Sequence, residues 1–333
     1  MANKTFNLDD IPQNEISETN YEMNEPENGN EQKELSKETE RLVDEINDDN
    51  NDEVYINAAP QGLSTDELRD PNQINVTIED EKTPIVVLFG PPSCGKTMTL
   101  VRLTRFLRNY NYDVLPIKTF RPSYDAHYNN MCESFNDMVT SENAADSTSQ
   151  ISFMLLRVSQ QGRPICQILE APGEHYFNPK DNAVNRDFPR YINNLKNRNN
   201  RKIWLFIVEP DWRDEKDRLN YVERIKQLKK QMGNHDRAIF LFNKVDKTSY
   251  VISKGHVNTK QAINNVANQY SGIFEPFKNE NPITRFFVEY NSRFVPFSTG
   301  DYNTTDKGRL VYDAGPDEYP RNLWSAIMKY IKG

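Results

Sequence analysis

The stretch LFGPPSCGKTMTL, residues 88–100, limits what this chain can fold into more than any other. An apolar run, TPIVVLFG, feeds a loop of glycine and proline; TMTLVRLTRFLRNY follows, with Leu100, Leu103, Phe106 and Leu107 at helical spacing. A buried parallel strand, a tight loop and an amphipathic helix are expected in that order. Gly90, Gly95, Lys96 and Thr97 fit the spacing G-x-x-x-x-G-K-[ST] in the place where that spacing has a mechanism. Glycines let the backbone curl round a phosphate chain, and the amides of Ser93, Cys94, Gly95, Lys96 and Thr97 point inward. Lys96 adds a positive charge, and the Thr97 hydroxyl suits Mg²⁺. Pro91 and Pro92 stiffen the loop ahead of those amides, and Cys94 reads as a small residue that fits.

Further strands and helices alternate along the chain. SQISFMLLRV and PICQILE read as a hairpin across SQQGR, and RKIWLFIVE, RAIFLFNKVD and SRFVPFSTG as later strands. DEKDRLNYVERIKQLKKQM is a helix with Val222, Ile225 and Leu228 on one face, and RNLWSAIMKYIKG closes the chain as another. QINVTI has the alternation of a short strand, and DVLPIKTF reads as one more. The expected architecture is an α/β three-layer sandwich of the P-loop NTPase kind, its sheet mostly parallel with one antiparallel hairpin strand. Ligands belong at the carboxyl ends of the strands.

Charge divides the chain. Residues 1–82 hold 23 acidic and 6 basic side chains, a net charge of −17, so the remainder carries +9 within a total of −8. Residues 1–72 are read as a disordered acidic tail, either a solvating segment or one that binds a partner, and residues 73–333 as the folded domain. Three irregularly spaced cysteines, Cys94, Cys132 and Cys166, form neither a disulfide framework nor a metal site and suit a reducing cytoplasm. No 18-residue apolar window or leader-like segment occurs, so a cytoplasmic location without a membrane segment is expected. The basic residues of the body are scattered, and a nucleic-acid partner is not expected.

LFNKVDK supplies the base. Asn243, Lys244 and Asp246 end an apolar strand, and an aspartate there accepts two hydrogen bonds from the N1–H and N2–H₂ edge of guanine. Adenine offers no such pair. Asn243 is expected to hold loop and base, with the Lys244 stem over the ring.

In this order the motifs resemble those of the P-loop GTPases of the translation-factor and Ras-like (TRAFAC) class, over Ile85 to about Ile331. The resemblance is strongest to the double-GTPase-type domains of bacterial conflict-associated systems, through GPPSCGKT, EAPGEHYF and VEPDW. It implies GTP/GDP and Mg²⁺ as ligands. EAPG takes the D-x-x-G place, with Glu170 reaching Mg²⁺ through water and Gly173 the γ-phosphate, and FSTG puts Ser298 and Thr299 near the guanine carbonyl. Thr148, or failing it Thr140, is the switch threonine in an enlarged switch I of about residues 111–150. Implied partners are a protein effector on the switch regions and the acidic tail, and a second GTPase chain or a second copy.

The same residues bear on catalysis. From Pro122 through Leu156 there is no Lys or Arg, so an arginine finger from this segment is not expected and turnover should be slow without a partner. Glu174 or His175 is the candidate for orienting water, with Thr148 beside them. Three functions follow: a slow GTPase switch, a nucleotide-binding scaffold that does not hydrolyse, and a P-loop ATPase or kinase.

Overall fold

Ile85–Phe89 is buried at all five positions, as a strand covered on both faces must be. The structure, a computed structural model, describes residues 63–140, 153–177, 187–211, 214–279, 290–304 and 310–333. In chain order the elements are α1 (Thr65–Arg69), β1 (Ile85–Phe89), α2 (Lys96–Asn109), β2 (Asp113–Pro116), α3 (Ala126–Thr140), β3 (Met154–Gln160) and β4 (Arg163–Glu170). Then come α4 (Gly173–Tyr176), α5 (Arg190–Lys196), β5 (Lys202–Val208), α6 (Glu215–Lys229), β6 (Arg237–Phe242), β7 (Val251–Ser253) and β8 (His256–Val257). The remainder are α7 (Thr259–Gln269), β9 (Ser292–Pro296), β10 (Asp301–Thr304), β11 (Leu310–Asp313) and α8 (Glu318–Lys332).

The main sheet has the order β2-β3-β4-β1-β5-β6-β9. The run β4-β1-β5-β6-β9 is parallel, while β3 runs antiparallel to both neighbours. This is the expected mostly parallel α/β sheet, with its antiparallel hairpin strand.

Register places Phe89, Phe206 and Phe240 opposite one another on one face. Their rings lie 5.3 and 5.5 Å apart and are covered by Tyr221 of α6 and by Phe277. Burying each such ring stabilises the fold by about 1.5–3 kcal/mol relative to exposure. The opposite face is covered by α2, which packs against α3 and α8.

Two expectations about the amino-terminal part need correction. The ordered elements start before Gln73: Leu63 is fully buried, and Ser64 and Glu67 close a capping box on α1. What holds this short helix is Arg121, whose buried guanidinium meets Glu67 at 2.5 Å and Asp125 at 2.7 Å. QINVTI forms no strand. The Thr77 amide donates to the Phe120 carbonyl at 2.8 Å, and Ile74 and Ile78 are buried as a strap rather than in a ladder.

The region between β2 and β3 carries α3, which buries Tyr128, Met131, Phe135 and Met138. No helix among the described residues is long and apolar enough to cross a membrane.

Candidate functional site

The carboxyl end of β1 opens into the glycine-proline loop, and α2 begins at Lys96. Ser93 and Gly95 have φ of +62° and +83°, the left-handed turns that curl this loop into a concave row of amides. Gly95 also has no room for a side chain, because a Cβ there would stand 2.5 Å from Asn243 Nδ2. The Cys94 thiol is fully buried and pushed up to about 12 by that burial, so its role is packing. Lys96 is buried, and its ammonium donates to the carbonyls of Pro91 (2.9 Å) and Gly90 (3.3 Å).

Glu170, at the end of β4, lies beside this loop. The Thr97 hydroxyl donates to its Oε1 at 3.1 Å, while its Oε2 is buried with no partner among the described residues. Burial pushes the Glu170 carboxyl up to about 8, against the opposing pull of Lys96 and the Thr97 hydrogen bond. A hydroxyl beside a carboxylate oxygen that lacks a partner is a hard-oxygen donor set, and it fits Mg²⁺, which keeps much of its water shell and takes one or two protein oxygens. The described residues contain no group of three or more His, Cys, Asp or Glu arranged to hold a metal.

Gly173 opens α4 directly against the phosphate loop. A Cβ on it would lie 2.2 Å from Pro92 N and 2.4 Å from the Pro91 carbonyl carbon. Glu174 beside it is exposed. His175 faces inward: its Nδ1 lies 2.8 Å from the Tyr191 hydroxyl, its ring meets Phe153 and Tyr191, and burial lowers its pKa to about 3. The imidazole is therefore neutral near pH 7. Thr140 ends α3 with its hydroxyl on the Asn136 carbonyl of its own helix, and Thr148 lies outside the described residues.

The segment LFNKVDK runs through the end of β6 and the turn after it. Asn243, fully buried, donates from Nδ2 to the Cys94 carbonyl at 3.0 Å. Lys244 takes a left-handed φ of +56°, and its ammonium meets the Glu209 carboxylate at 2.6 Å. Asp246 sits in the turn Val245–Lys247, and the Val245 amide donates to the Phe297 carbonyl, drawing the FSTG segment alongside. Asp246 and Ser298 line one cavity of about 270 Å³, walled also by Lys254, Asp313 and Tyr319. Thr299 stands between this cavity and the phosphate loop, its Cγ2 lying 3.5 Å from where a Gly95 Cβ would be.

The fold thus gathers the glycine-proline loop, Glu170, Gly173, Asn243, Ser298 and Thr299 at one end of the sheet, with Asp246 beside them. Glu209, Arg102 and Tyr312, which support these loops, were not singled out by sequence. For Glu209 a signal existed, since it caps the apolar run KIWLFIV.

No family model matches the chain, and no curated protein does. Among solved structures, the chain is similar to nucleolar GTP-binding protein 1 from Plasmodium falciparum, at 13% identity and a TM-score of 0.37, covering 78% of this chain and 90% of that one.

Proposed function

We propose that this chain is a guanine-nucleotide switch that binds GTP and GDP with Mg²⁺ and hydrolyses GTP slowly. The observation that carries the reading is the hydrogen bond from Asn243 Nδ2 to the Cys94 carbonyl, which ties a base-reading turn to a phosphate loop. A base seated near Asp246 meets an acceptor for N1–H and N2–H₂. ATP would leave that carboxylate unpaired, so discrimination of roughly 10⁴-fold is expected.

In this reading the loop amides and Lys96 hold the phosphates, and Thr97 and Glu170 hold Mg²⁺, Glu170 through water. The ion, when bound, neutralises charge on the transferring phosphoryl group. Gly173, packed on Pro91 and Pro92, senses the far end of the phosphate chain in this reading, and Glu174, exposed beside it, orients water. His175, neutral and turned toward Tyr191, holds α4 in position. With no Lys or Arg between Pro122 and Leu156, the missing cation comes from a partner protein or a second copy. Movement around Gly173 then alters a surface read by a protein effector, with the acidic tail as a further contact.

A second reading, a binding scaffold without hydrolysis, is favoured by one feature: a buried Glu170, holding its proton to about pH 8, stands where the family carries aspartate. Single-turnover phosphate release from GTP on the full chain, with Mg²⁺, separates the two. Slow release that Lys96→Ala abolishes supports the switch; tight guanine binding with no release supports the scaffold.

A further inference from the structure

Arg121, 5% exposed, lies just before α3 and outside every motif. Its guanidinium serves three segments at once. Nη2 donates to Glu67 of α1 at 2.5 Å, Nε to Asp125 at 2.8 Å, and Nη1 to the Asn75 carbonyl at 2.9 Å. Asp125 in turn accepts from the Tyr128 amide at 3.0 Å, a cap on the first turn of α3. Each nitrogen of the group thereby carries a directed bond, and its orientation is fixed.

The same guanidinium lies over the ring of Phe153, 5.7 Å from its centroid. Phe153 is fully buried and meets the rings of Tyr191 at 5.2 Å and His175 at 6.5 Å, both edge-on. The Tyr191 hydroxyl stands 2.8 Å from His175 Nδ1, which closes the line of contact. A close-packed interior passes a displacement on rather than absorbing it. His175 belongs to α4, whose four residues cannot sustain a helix by themselves. The glycine-proline loop holds one end of α4 at Gly173, and Arg224 Nε holds the other by donating to the Tyr176 carbonyl at 3.0 Å. His175 sets the rotation between those ends, and with it the direction of Glu174.

We propose that Glu67, Arg121 and Phe153 are positioning residues for hydrolysis: while α1 is docked, Glu67 fixes the guanidinium, the guanidinium fixes Phe153, and Phe153 with Tyr191 fixes His175 and hence α4. The assignment rests on the GTPase reading above. It adds an amino-terminal element that acts on the rate of phosphate release and not on the affinity for nucleotide. α1 and the segment that orients water are then two ends of one buried contact line.

Arg121→Met would leave two buried carboxylates facing each other, so milder variants carry the test. Glu67→Met removes the carboxylate and keeps the length, Glu67→Gln restores an acceptor oxygen, and Tyr191→Phe keeps the ring against Phe153 while removing the hydroxyl from His175. The experiment measures single-turnover phosphate release from GTP, and GTP and GDP affinity, on the full chain with Mg²⁺ below the melting temperature of each variant. Glu67→Met and Tyr191→Phe each slow release by roughly 3- to 10-fold, the worth of one lost hydrogen bond. Affinities stay within about twofold, and Glu67→Gln recovers part of the rate. The Glu67→Met, Tyr191→Phe double variant is no slower than the slower single one, because both break the same line; independent effects would multiply. Native-like release in either single variant, losses that multiply in the double, or affinity falling as far as the rate overturns the assignment. A native protein that binds GTP and releases no phosphate overturns the hydrolysis reading itself, and the assignment with it.

Discussion

Asn243 Nδ2 lies 3.0 Å from the carbonyl oxygen of Cys94, so one fully buried amide joins the end of β6 to the phosphate loop. Replacing it by alanine strands that carbonyl and opens the contact with Gly95. Asn243→Ala is expected to cost about 1–3 kcal/mol of stability. It should weaken GDP binding by roughly tenfold, the equivalent of about 1.4 kcal/mol. Melting curves with and without GDP measure both effects, and a variant that melts and binds as the native chain does would show the bridge to be incidental.

Gly173 offers a sharper separation of binding from response. A methyl group here meets the backbone of Pro91 and Pro92, which cannot rotate away as a side chain can. Gly173→Ala should displace α4 from the loop, leave GDP affinity within about threefold, and slow phosphate release by roughly tenfold or more. Equal loss of GDP and GTP binding would mean that α4 supports the cradle itself.

Arg121 holds Glu67, Asp125 and the Asn75 carbonyl from a nearly buried position. Arg121→Met leaves two carboxylates facing each other and should destabilise the fold by about 3–5 kcal/mol. By the same reasoning, deleting residues 1–70, which removes Leu63 and α1, lowers the melting temperature relative to deleting residues 1–62. Identical melting of the two truncated chains would remove α1 from the fold.

These residues show why parts of the molecule were legible and others not. Gly90 to Thr97, Asn243 to Asp246 and Phe297 to Gly300 each follow an apolar strand directly, so local order placed them at one end of the sheet. Arg102 reaches Ser298 and Pro316 across 196 and 214 positions, and within LVRLTRFLR it reads as part of a polar face. The hairpins β7-β8 and β10-β11, with strands of two to four residues, have too little length for periodicity to register. In QINVTI the alternation matches the burial of Ile74 and Ile78, yet among the described residues no strand pairs with it. The Ser64–Glu67 capping box was present in the sequence, but its anchor, Arg121, lies 54 residues further on.

His175 supplies the pH dependence. Its folded pKa, about 3, lies below the usual 6.5 because the ring is buried, so the unfolded chain binds the extra proton more readily. Its contribution to stability is complete above pH 6.5 and is lost as pH falls toward 3. His175→Phe should flatten the acid side of the stability profile across that window, as read from urea midpoints at several pH values. A slope unchanged by the substitution would contradict the buried neutral imidazole.

The central claim is met most directly by competition of GTP, GDP and ATP against a fluorescent guanine nucleotide on the full chain with Mg²⁺, beside Lys96→Ala and Asp246→Asn. The account predicts displacement by GTP and GDP but not by ATP, binding lost in Lys96→Ala, and base selectivity relaxed in Asp246→Asn. Equal displacement by ATP, or no nucleotide binding by the native chain, would contradict it.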